Sequence, residues 1–305
     1  MAERPPGEEG AGGAAAPMPF VVGVNRSGTT LLRMMLDSHP ALAIGPETHF
    51  VPDLIALLET GDARVADLVA TIRGAREWED FGLGEAELTA AFERLGPRLE
   101  AGPALRAFYS LCAQRAGKPR AGDKTPAYGR SMLPIKAALP EARFVHVIRD
   151  GRDVALSIRD RAGGERPERP FGRIAKRWKR RIAGAREQAE LLGKSYREVR
   201  YERLVSEPEP LLKEVCALLE LPWDAAMLTY TERAANRLRE IDRVLPARGE
   251  RAELSAERRM QTHSRVLEPP DRGRIGRWRR EMSPDERREF EDVAGDLLAA
   301  LGYEL

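Results

Sequence analysis

Residues 20–37 carry the residue types of an anion-binding turn. An apolar run is followed by a loop bounded by Gly23 and Gly28, and then by apolar residues at helical spacing, so the pattern predicts a strand, a loop and a helix. In such a loop the backbone N–H groups and the helix N-terminus present positive potential to an anion. The predicted ligand is a phosphate or a sulfate, and its candidate binding residues are Arg26, Ser27, Gly28, Thr29 and Thr30.

This loop differs from a nucleoside-triphosphate loop at one position. The latter reads G-x-x-x-x-G-K-[ST], in which the Lys contacts the β- and γ-phosphates and the hydroxyl binds Mg²⁺. Here Thr29 occupies the Lys position, and the cation is Arg26, inside the loop. The substitution argues against an ordinary ATPase or kinase and favours an anion held by Arg and hydroxyl groups without a metal. The alternative interpretation is a strand-to-helix turn with an incidental Arg.

Two candidate proton acceptors follow the next predicted strand. Residues 41–45 form a short apolar run, after which come Glu47 and His49. Because ligands of parallel α/β sheets bind beyond the carboxyl ends of the strands, both side chains are expected near the anion loop. Lys124, in a predicted polar loop at 121–128, is a candidate cation for the same crevice, with an exposed loop Lys as the alternative.

A second strand–turn–helix unit spans residues 143–157. Two such units predict a central, mostly parallel sheet with crossover helices, and hence a three-layer αβα fold of the P-loop type with helical insertions. Arg149 ends the predicted strand and Ser157 lies in the following helix, so both are candidates to contact one anion. A surface pair between Arg149 and Asp153 is the alternative.

Further along the chain, residues 199–205 predict another strand with its exit turn, in which Tyr201 either contacts a nucleotide base or belongs to the core. Residues 51–117 are predicted as a helical insert and a candidate lid. The basic segment 161–181 suggests nucleic acid, but its acidic residues favour a solvated helical face beside the mouth of an anion site. No site is assigned to the charged segment 224–270, which is followed by a flexible basic loop at 272–280.

Composition limits the class of protein. The chain has 305 residues, a net charge of +2 and 32% charged residues, so any anion site must be a local cluster and no nucleic-acid partner is expected. Its two cysteines, Cys112 and Cys216, are expected to be buried thiols in a cytoplasmic protein, and no metal site is predicted. Residues 1–18 are predicted to be a disordered tail before a single domain at 19–305, and no apolar run approaches the roughly 18 residues of a membrane span.

The ordered combination of these motifs resembles the sulfotransferases that use 3′-phosphoadenosine-5′-phosphosulfate (PAPS). The motifs are R-S-G-T-T at 26–30, R-D-G-R with Ser157, Y-E-R-L-V at 201–205 and G-R-W-R at 276–279. The stretch from Arg26 to His49 is especially similar to the tyrosylprotein sulfotransferases and their bacterial relatives, which have R-S-G-T-T, then L-D-x-H-P, then G-x-E-T.

The resemblance implies a role for each candidate residue. Residues 26–30 would bind the 5′-phosphosulfate, and Arg149 and Ser157 the 3′-phosphate. Tyr201 would meet the adenine, and the loop containing Gly276, Arg277 and Arg279 would close over the nucleotide. Glu47 matches the catalytic base, with His49 as the second choice, and Lys124 matches a Lys that stabilises the transferring group.

The resemblance is incomplete on the acceptor side. His49 and Asp53 stand where the tyrosylprotein enzymes have two Arg associated with an acidic peptide, so the acceptor remains open among small molecules, sugars, lipids and peptides. Two other functions remain as alternatives. One is a P-loop kinase of small molecules, and the other is a non-catalytic module that binds nucleotides or polyanions.

Overall fold

The computed structural model describes residues 15–161, 170–247 and 253–305. The prediction of a disordered tail falls mainly on residues 1–14, which lie outside the described residues, and the first strand already begins at Met18. Glu165 and Glu168, two acidic residues of the basic segment, also lie outside the described ranges.

The described residues form a five-stranded parallel sheet with the order β2-β3-β1-β4-β5. The strands are β1 Met18–Gly23, β2 Leu42–Ile44, β3 Arg120–Lys124, β4 Ala142–Ile148 and β5 Tyr196–Arg200. Phe20, Val21 and Val22 of the central strand are all 0% exposed, as expected for a parallel strand that is covered on both faces.

Helices cover both faces of the sheet, which confirms the predicted three-layer architecture. Phe20 and Val22 pack on one side with the helices of the insert, whereas Val21 packs on the other side with α1 and α10. In chain order the helices are α1 Thr29–Asp37, α2 Val51–Glu59, α3 Val65–Arg73, α4 Glu85–Glu93, α5 Ala101–Arg115, α6 Met132–Ala138, α7 Gly151–Arg161, α8 Phe171–Leu192, α9 Tyr201–Ser206, α10 Pro208–Leu218, α11 Thr231–Arg239, α12 Ala256–His263, α13 Trp278–Glu281 and α14 Pro284–Ala300.

The prediction of a polar loop at 121–128 was wrong, because its first half is strand β3. The strand has the sequence Arg-Ala-Gly-Asp-Lys, without the apolar pattern of a buried strand. Its polar side chains are buried because they have partners: Asp123 accepts hydrogen bonds from Tyr109 and Thr48, and Lys124 pairs with Glu47. Gly122 lets the neighbouring strand approach, since a Cβ there would lie 2.8 Å from the carbonyl oxygen of Pro19.

The predicted strand at 199–205 was also wrong in its extent. Strand β5 ends at Arg200, and α9 begins at Tyr201. Tyr201, Leu204 and Val205 are all buried, and their spacing of three and four residues fits a helix better than the alternation of a strand. Tyr201 therefore lies at the sheet edge where the ligand crevice is expected.

Two further features bear on the predicted organisation. Helices α2 to α5 account for most of the region predicted as a helical insert. Among the residues that the structure describes, no helix has the length and apolar character needed to span a bilayer.

Candidate active site

Two adjoining cavities open where the carboxyl ends of the strands meet. The Glu47 cavity has a volume of about 200 Å³, and its lining includes Glu47, Lys124 and Glu77. The Tyr201 cavity has a volume of about 170 Å³, and its lining includes Tyr201 and Arg149. Both cavities are lined by the same five residues at their junction: Arg26, Thr29, Thr30, Thr262 and His263.

The loop after β1 has the properties of an anion cradle. Arg26 and Gly28 have φ angles of 74° and 97°, so the chain turns sharply before α1. Helix α1 has no side-chain cap at its N-terminus, which leaves N–H groups of its first turn available to a ligand. The Ser27 hydroxyl is buried and has no hydrogen-bond partner in the described structure, so it too offers a hydrogen bond.

The Tyr201 ring packs so closely against residue 28 that only glycine fits there. A Cβ at position 28 would lie 2.4 Å from Cδ2 of the Tyr201 ring. The Tyr201 ring therefore rests directly on the loop and forms one wall of its cavity. This contact places the predicted base-contacting residue next to the predicted phosphate loop.

Arg26 joins the loop to two other elements. Its Nε donates a hydrogen bond of 3.1 Å to Oγ of Ser157 on α7, and its Nη1 donates one of 3.3 Å to the carbonyl oxygen of Thr262 on α12. Burial, together with the nearby charges of Arg265, Arg161 and Arg149, lowers the pKa of Arg26 to about 10. This cluster of cations favours an anion between them.

Arg149 reaches the cavity as predicted. Its guanidinium lies 4.2 Å from the centre of the Tyr201 ring, and it donates hydrogen bonds to the carbonyl oxygens of Arg26 and Arg274. Its Nε is buried without a hydrogen-bond partner. The alternative pair with Asp153 does form, with 3.9 Å between Nη2 of Arg149 and Oδ2 of Asp153, but it is buried rather than at the surface. Asp153 also accepts hydrogen bonds from the backbone N–H groups of Gly276 and Trp278.

Glu47, Lys124 and His49 form one charged cluster. Lys124 Nζ donates to Oε1 of Glu47, and Nε2 of His49 lies 2.9 Å from Oε2. Burial raises the pKa of Glu47, but Lys124 and His49 outweigh that effect and hold it well below its usual range. Burial opposes protonation of His49, yet its contacts with Glu47 and its proximity to Glu77 raise its pKa above the usual value. Glu47 is thus ionised and held by Lys124 and His49.

A buried hydrogen-bond network supports this cluster. Thr48 donates to Asp123 at 2.7 Å, and its backbone N–H donates to Oγ1 of Thr125 at 3.1 Å. The Tyr128 hydroxyl lies 2.7 Å from Oγ1 of Thr48 and accepts from the backbone N–H of Val51. The network ties the segment after β2 to the end of β3, and so fixes Glu47 opposite Lys124.

Three of the predicted nucleotide contacts, Gly276, Arg277 and Arg279, are not among the described lining residues of the Tyr201 cavity. Arg277 pairs with Asp160 and Glu281, and Arg279 pairs with Glu304. Gly276 has a φ of 65° and donates its N–H to Asp153, which anchors this loop beneath the site. The Tyr201 cavity is lined instead by Arg265 and Arg274.

The sequence analysis missed the segment that covers both cavities. Helix α12 and the turn after it, Ser264–Leu267, lie within the region to which no site was assigned. Arg259 anchors this segment to the insert, because its Nη1 donates a hydrogen bond of 3.1 Å to Asp80 and its Nη2 donates to the other oxygen of that carboxylate. The sequence signal was weak: an Arg and a His four residues apart in a stretch crowded with charge.

His263 occupies the junction of the two cavities. Burial and the nearby positive charge of Lys124 lower its pKa to about 3, so the imidazole is neutral at physiological pH. No group of three or more His, Cys, Asp or Glu side chains arranged to hold a metal occurs among the described residues.

Comparisons with known proteins agree with this geometry. The sequence model of the sulfotransferase family matches residues 17–225. Protein-tyrosine sulfotransferase A of Caenorhabditis elegans is 28% identical over 225 residues, which cover 71% of this chain but only 53% of that relative. Protein-tyrosine sulfotransferase 1 of Danio rerio is 26% identical over 294 residues, or 94% of this chain and 72% of the relative. The chain thus spans about half the length of the first relative.

Solved structures with the same fold include two sulfotransferase domains. The domain from the Synechococcus PCC 7002 olefin synthase has a TM-score of 0.60 and 21% identity, with 96% of both chains covered. The domain from the curacin biosynthetic pathway has a TM-score of 0.59 and 18% identity, with 96% of this chain and 99% of that domain covered. With a family match over most of its length and this fold, the chain belongs to the sulfotransferase family.

Proposed function

We propose that the protein transfers a sulfuryl group from PAPS to a hydroxyl or amine of an acceptor. The observation that carries the proposal is the junction of the two cavities. There the uncapped start of α1 and Arg26 adjoin a cavity that contains the Glu47–Lys124 pair. A donor anion and an acceptor held in these two cavities would meet at that junction.

The donor-side residues fit the nucleotide. The Ser27 hydroxyl, the first N–H groups of α1 and Arg26 would hold the 5′-phosphosulfate, and the buried Ser27 hydroxyl without a partner supports this assignment. Arg149 and Ser157 would hold the 3′-phosphate, and Tyr201 would contact the adenine. From the cavity lining, we assign to Arg265 and Arg274 the covering role that the resemblance gave to Arg277 and Arg279.

The acceptor-side residues supply proton transfer and charge stabilisation. Sulfuryl transfer, like phosphoryl transfer, depends mainly on positioning and on stabilising charge at the in-line atoms. Lys124 is placed to stabilise that charge. Glu47 is the proposed base, because it lines the cavity beside Lys124, whereas His49 is not among the described lining residues. Loss of either contact, with Lys124 or with His49, would raise the pKa of Glu47 and make it a stronger proton acceptor.

The acceptor class is proposed from the relatives. They are named as protein-tyrosine sulfotransferases, so a phenolic hydroxyl is the first acceptor to test. Ile241, Leu245 and Leu254 give the Glu47 cavity an apolar wall against which an aromatic ring can pack. The kinase and the non-catalytic module receive no support from the compared proteins.

Calorimetry tests the donor assignment. Adenosine 3′,5′-bisphosphate is titrated beside ADP and ATP, with and without Mg²⁺, into the wild-type protein and Ser27→Ala. The bisphosphate is expected to bind at least tenfold more tightly than ATP, and Ser27→Ala is expected to weaken it. Equal or tighter binding of ATP, or an absolute need for Mg²⁺, would contradict the proposal. Transfer of labelled sulfate from PAPS to phenols, sugars, lipids and peptides then identifies the acceptor.

A further inference from the structure

Helix α8 carries a row of cationic side chains along one of its faces. Arg173, Lys176, Arg177, Arg180 and Arg181 recur at intervals of three and four residues, so they share one face. The opposite face, which includes Ile174 and Trp178, is buried. On other parts of the helix, Lys179 pairs with Asp296 and Arg186 with Glu198.

Most of this row lacks a counter-charge among the residues that the structure describes. Within the described ranges, Arg173, Lys176, Arg180 and Arg181 form no ion pair or hydrogen bond, and Nη1 of Arg181 is buried without a partner. Burial and the charges of Arg177, Arg130 and Arg180 lower the pKa of Arg181 to about 10. The repulsion among these side chains is therefore not relieved by the described protein groups.

The row is also unfavourable for the helix itself. Like charges three and four residues apart repel each other, and cations near a helix N-terminus oppose the helix dipole. Helix α8 begins at Phe171 and has no acidic residue in its first turn, so Arg173, which lies in that turn, is where a cation is least favourable. Because Arg173, Lys176, Arg180 and Arg181 have no ion pair among the described residues, the arrangement favours an anionic ligand as their counter-charge.

The row borders a groove of about 600 Å³, a volume within the usual range for small-molecule sites. Val24, Val154 and Ile158 contribute an apolar floor, and no acidic side chain is among its described lining residues. The groove adjoins the Glu47 cavity, because both are lined by Asn25, Arg26 and Arg161. It therefore leads from the cationic face of α8 towards the proposed reaction centre.

We propose that this groove binds the anionic end of an amphipathic organic acceptor whose reactive group lies in the Glu47 cavity. An apolar body would cover the floor, and a carboxylate, sulfate or phosphate would pair with Arg173, Lys176 and Arg180 at the rim. The assignment of the occupant as the acceptor rests on the proposed function, but the presence of an anion site does not depend on turnover. Its test is therefore a binding measurement.

The probe is 1-anilinonaphthalene-8-sulfonate, a fluorescent amphipathic anion, and its neutral counterpart is 1-anilinonaphthalene, which lacks only the sulfonate. Both are titrated into the full chain and into two triple variants. The groove variant is R173Q/K176Q/R180Q. The control is R64Q/R98Q/R288Q, which removes the same number of charges from side chains that are 82%, 89% and 70% exposed.

The groove variant is expected to bind the sulfonate at least tenfold more weakly, whereas the control changes its affinity by twofold or less. Neither variant should alter binding of the neutral compound. The melting temperature of the groove variant should equal or exceed that of the wild type, because repulsion within α8 is removed.

The proposal would be overturned if the two variants bound the sulfonate with equal affinity. It would also be overturned if the groove variant lost as much affinity for the neutral compound as for the sulfonate. Adenosine 3′,5′-bisphosphate is titrated in parallel and should bind all three proteins alike. Failure of that ligand to bind the wild type counts against the donor assignment, and it leaves the result on the groove unaffected.

Discussion

Glu47 and Lys124 form an ion pair across the ends of two neighbouring strands. Glu47 follows β2 and Lys124 ends β3, and the register of these strands pairs Ile44 with Gly122. The pair therefore depends on the sheet itself, and both side chains face the same cavity.

We expect Glu47→Gln to lower kcat by about 10²–10⁴, because that is the usual contribution of a general base. The affinity for adenosine 3′,5′-bisphosphate should change by less than twofold, since Glu47 does not line the Tyr201 cavity. Steady-state kinetics and calorimetry measure the two effects. Glu79→Gln is the control, because this carboxylate is 74% exposed. Retained turnover in Glu47→Gln would remove Glu47 from the role of base.

The contact between His49 and Glu47 predicts a pH dependence of stability. The pKa of His49 is raised in the folded protein, so its contribution is fully present below the unfolded pKa near 6.5 and is lost as the pH rises through the folded value. Glu47 has a lowered pKa, so its contribution is present above about pH 4.5 and is lost only in strong acid.

The test compares urea unfolding of the wild type and His49→Asn between pH 5 and 9. Asn is chosen because residue 49 has a φ of 53°, which Asn tolerates better than most residues. The difference in unfolding free energy should be largest below pH 6.5 and should shrink as the pH rises. In a Glu47→Gln background this pH-dependent part should become smaller, because Glu77 and Asp123 remain near His49. A difference that grows with pH would refute the assignment.

The contact between Gly28 and Tyr201 predicts a selective loss of nucleotide binding in Gly28→Ala. The added Cβ would overlap the Tyr201 ring and displace it, so we expect the affinity for adenosine 3′,5′-bisphosphate to fall at least tenfold. Gly61→Ala is the matched control, because Gly61 also has a positive φ, 82°, but a Cβ there would have no atom within 4 Å. This control should lose about 1–2 kcal/mol of stability from backbone strain alone and keep its nucleotide affinity.

The Asp80–Arg259 pair predicts that the segment covering the cavities depends on one buried contact. Asp80 is 4% and Arg259 is 5% exposed, and Arg259→Ala leaves the buried carboxylate with Arg243 alone, 3.7 Å away, so the cost should approach but not exceed about 3–5 kcal/mol. Arg258→Ala, on an exposed neighbour in the same helix, should change stability by less than about 0.5 kcal/mol.

Chemical unfolding measures both variants, and calorimetry should show weaker nucleotide binding only in Arg259→Ala. Asp80→Asn/Arg259→Ala should recover part of the stability, since the unpaired charge is gone. A loss in Arg259→Ala no greater than that in Arg258→Ala would show that the contact does not hold the segment.

Local patterns were sufficient to predict some of the fold and site. The loop at 26–30 and Arg149 with Ser157 lie in contiguous strand–turn–helix units, where periodicity and glycine spacing carry information, and the structure brings these residues together. Strand β3 was missed because its burial depends on partners far along the chain, including Tyr109 and Thr48, rather than on apolar residues.

The covering segment was missed for a similar reason. Arg259 pairs with a carboxylate 179 positions away, and nothing in the sequence near Arg259 identifies that partner. Arg277 and Arg279 show the converse case. Their motif is recognisable in the sequence, but both pair with carboxylates, those of Asp160, Glu281 and Glu304, and neither lines the Tyr201 cavity.

The wall shared by the two cavities has a thermodynamic consequence. A ligand in either cavity would contact the five shared lining residues: Arg26, Thr29, Thr30, Thr262 and His263. A ligand that shifts one of these side chains changes the free energy of binding in the neighbouring cavity, and linkage requires the same factor in both directions. Binding of the donor and binding of the acceptor should therefore be coupled, so that each ligand changes the affinity for the other by the same factor.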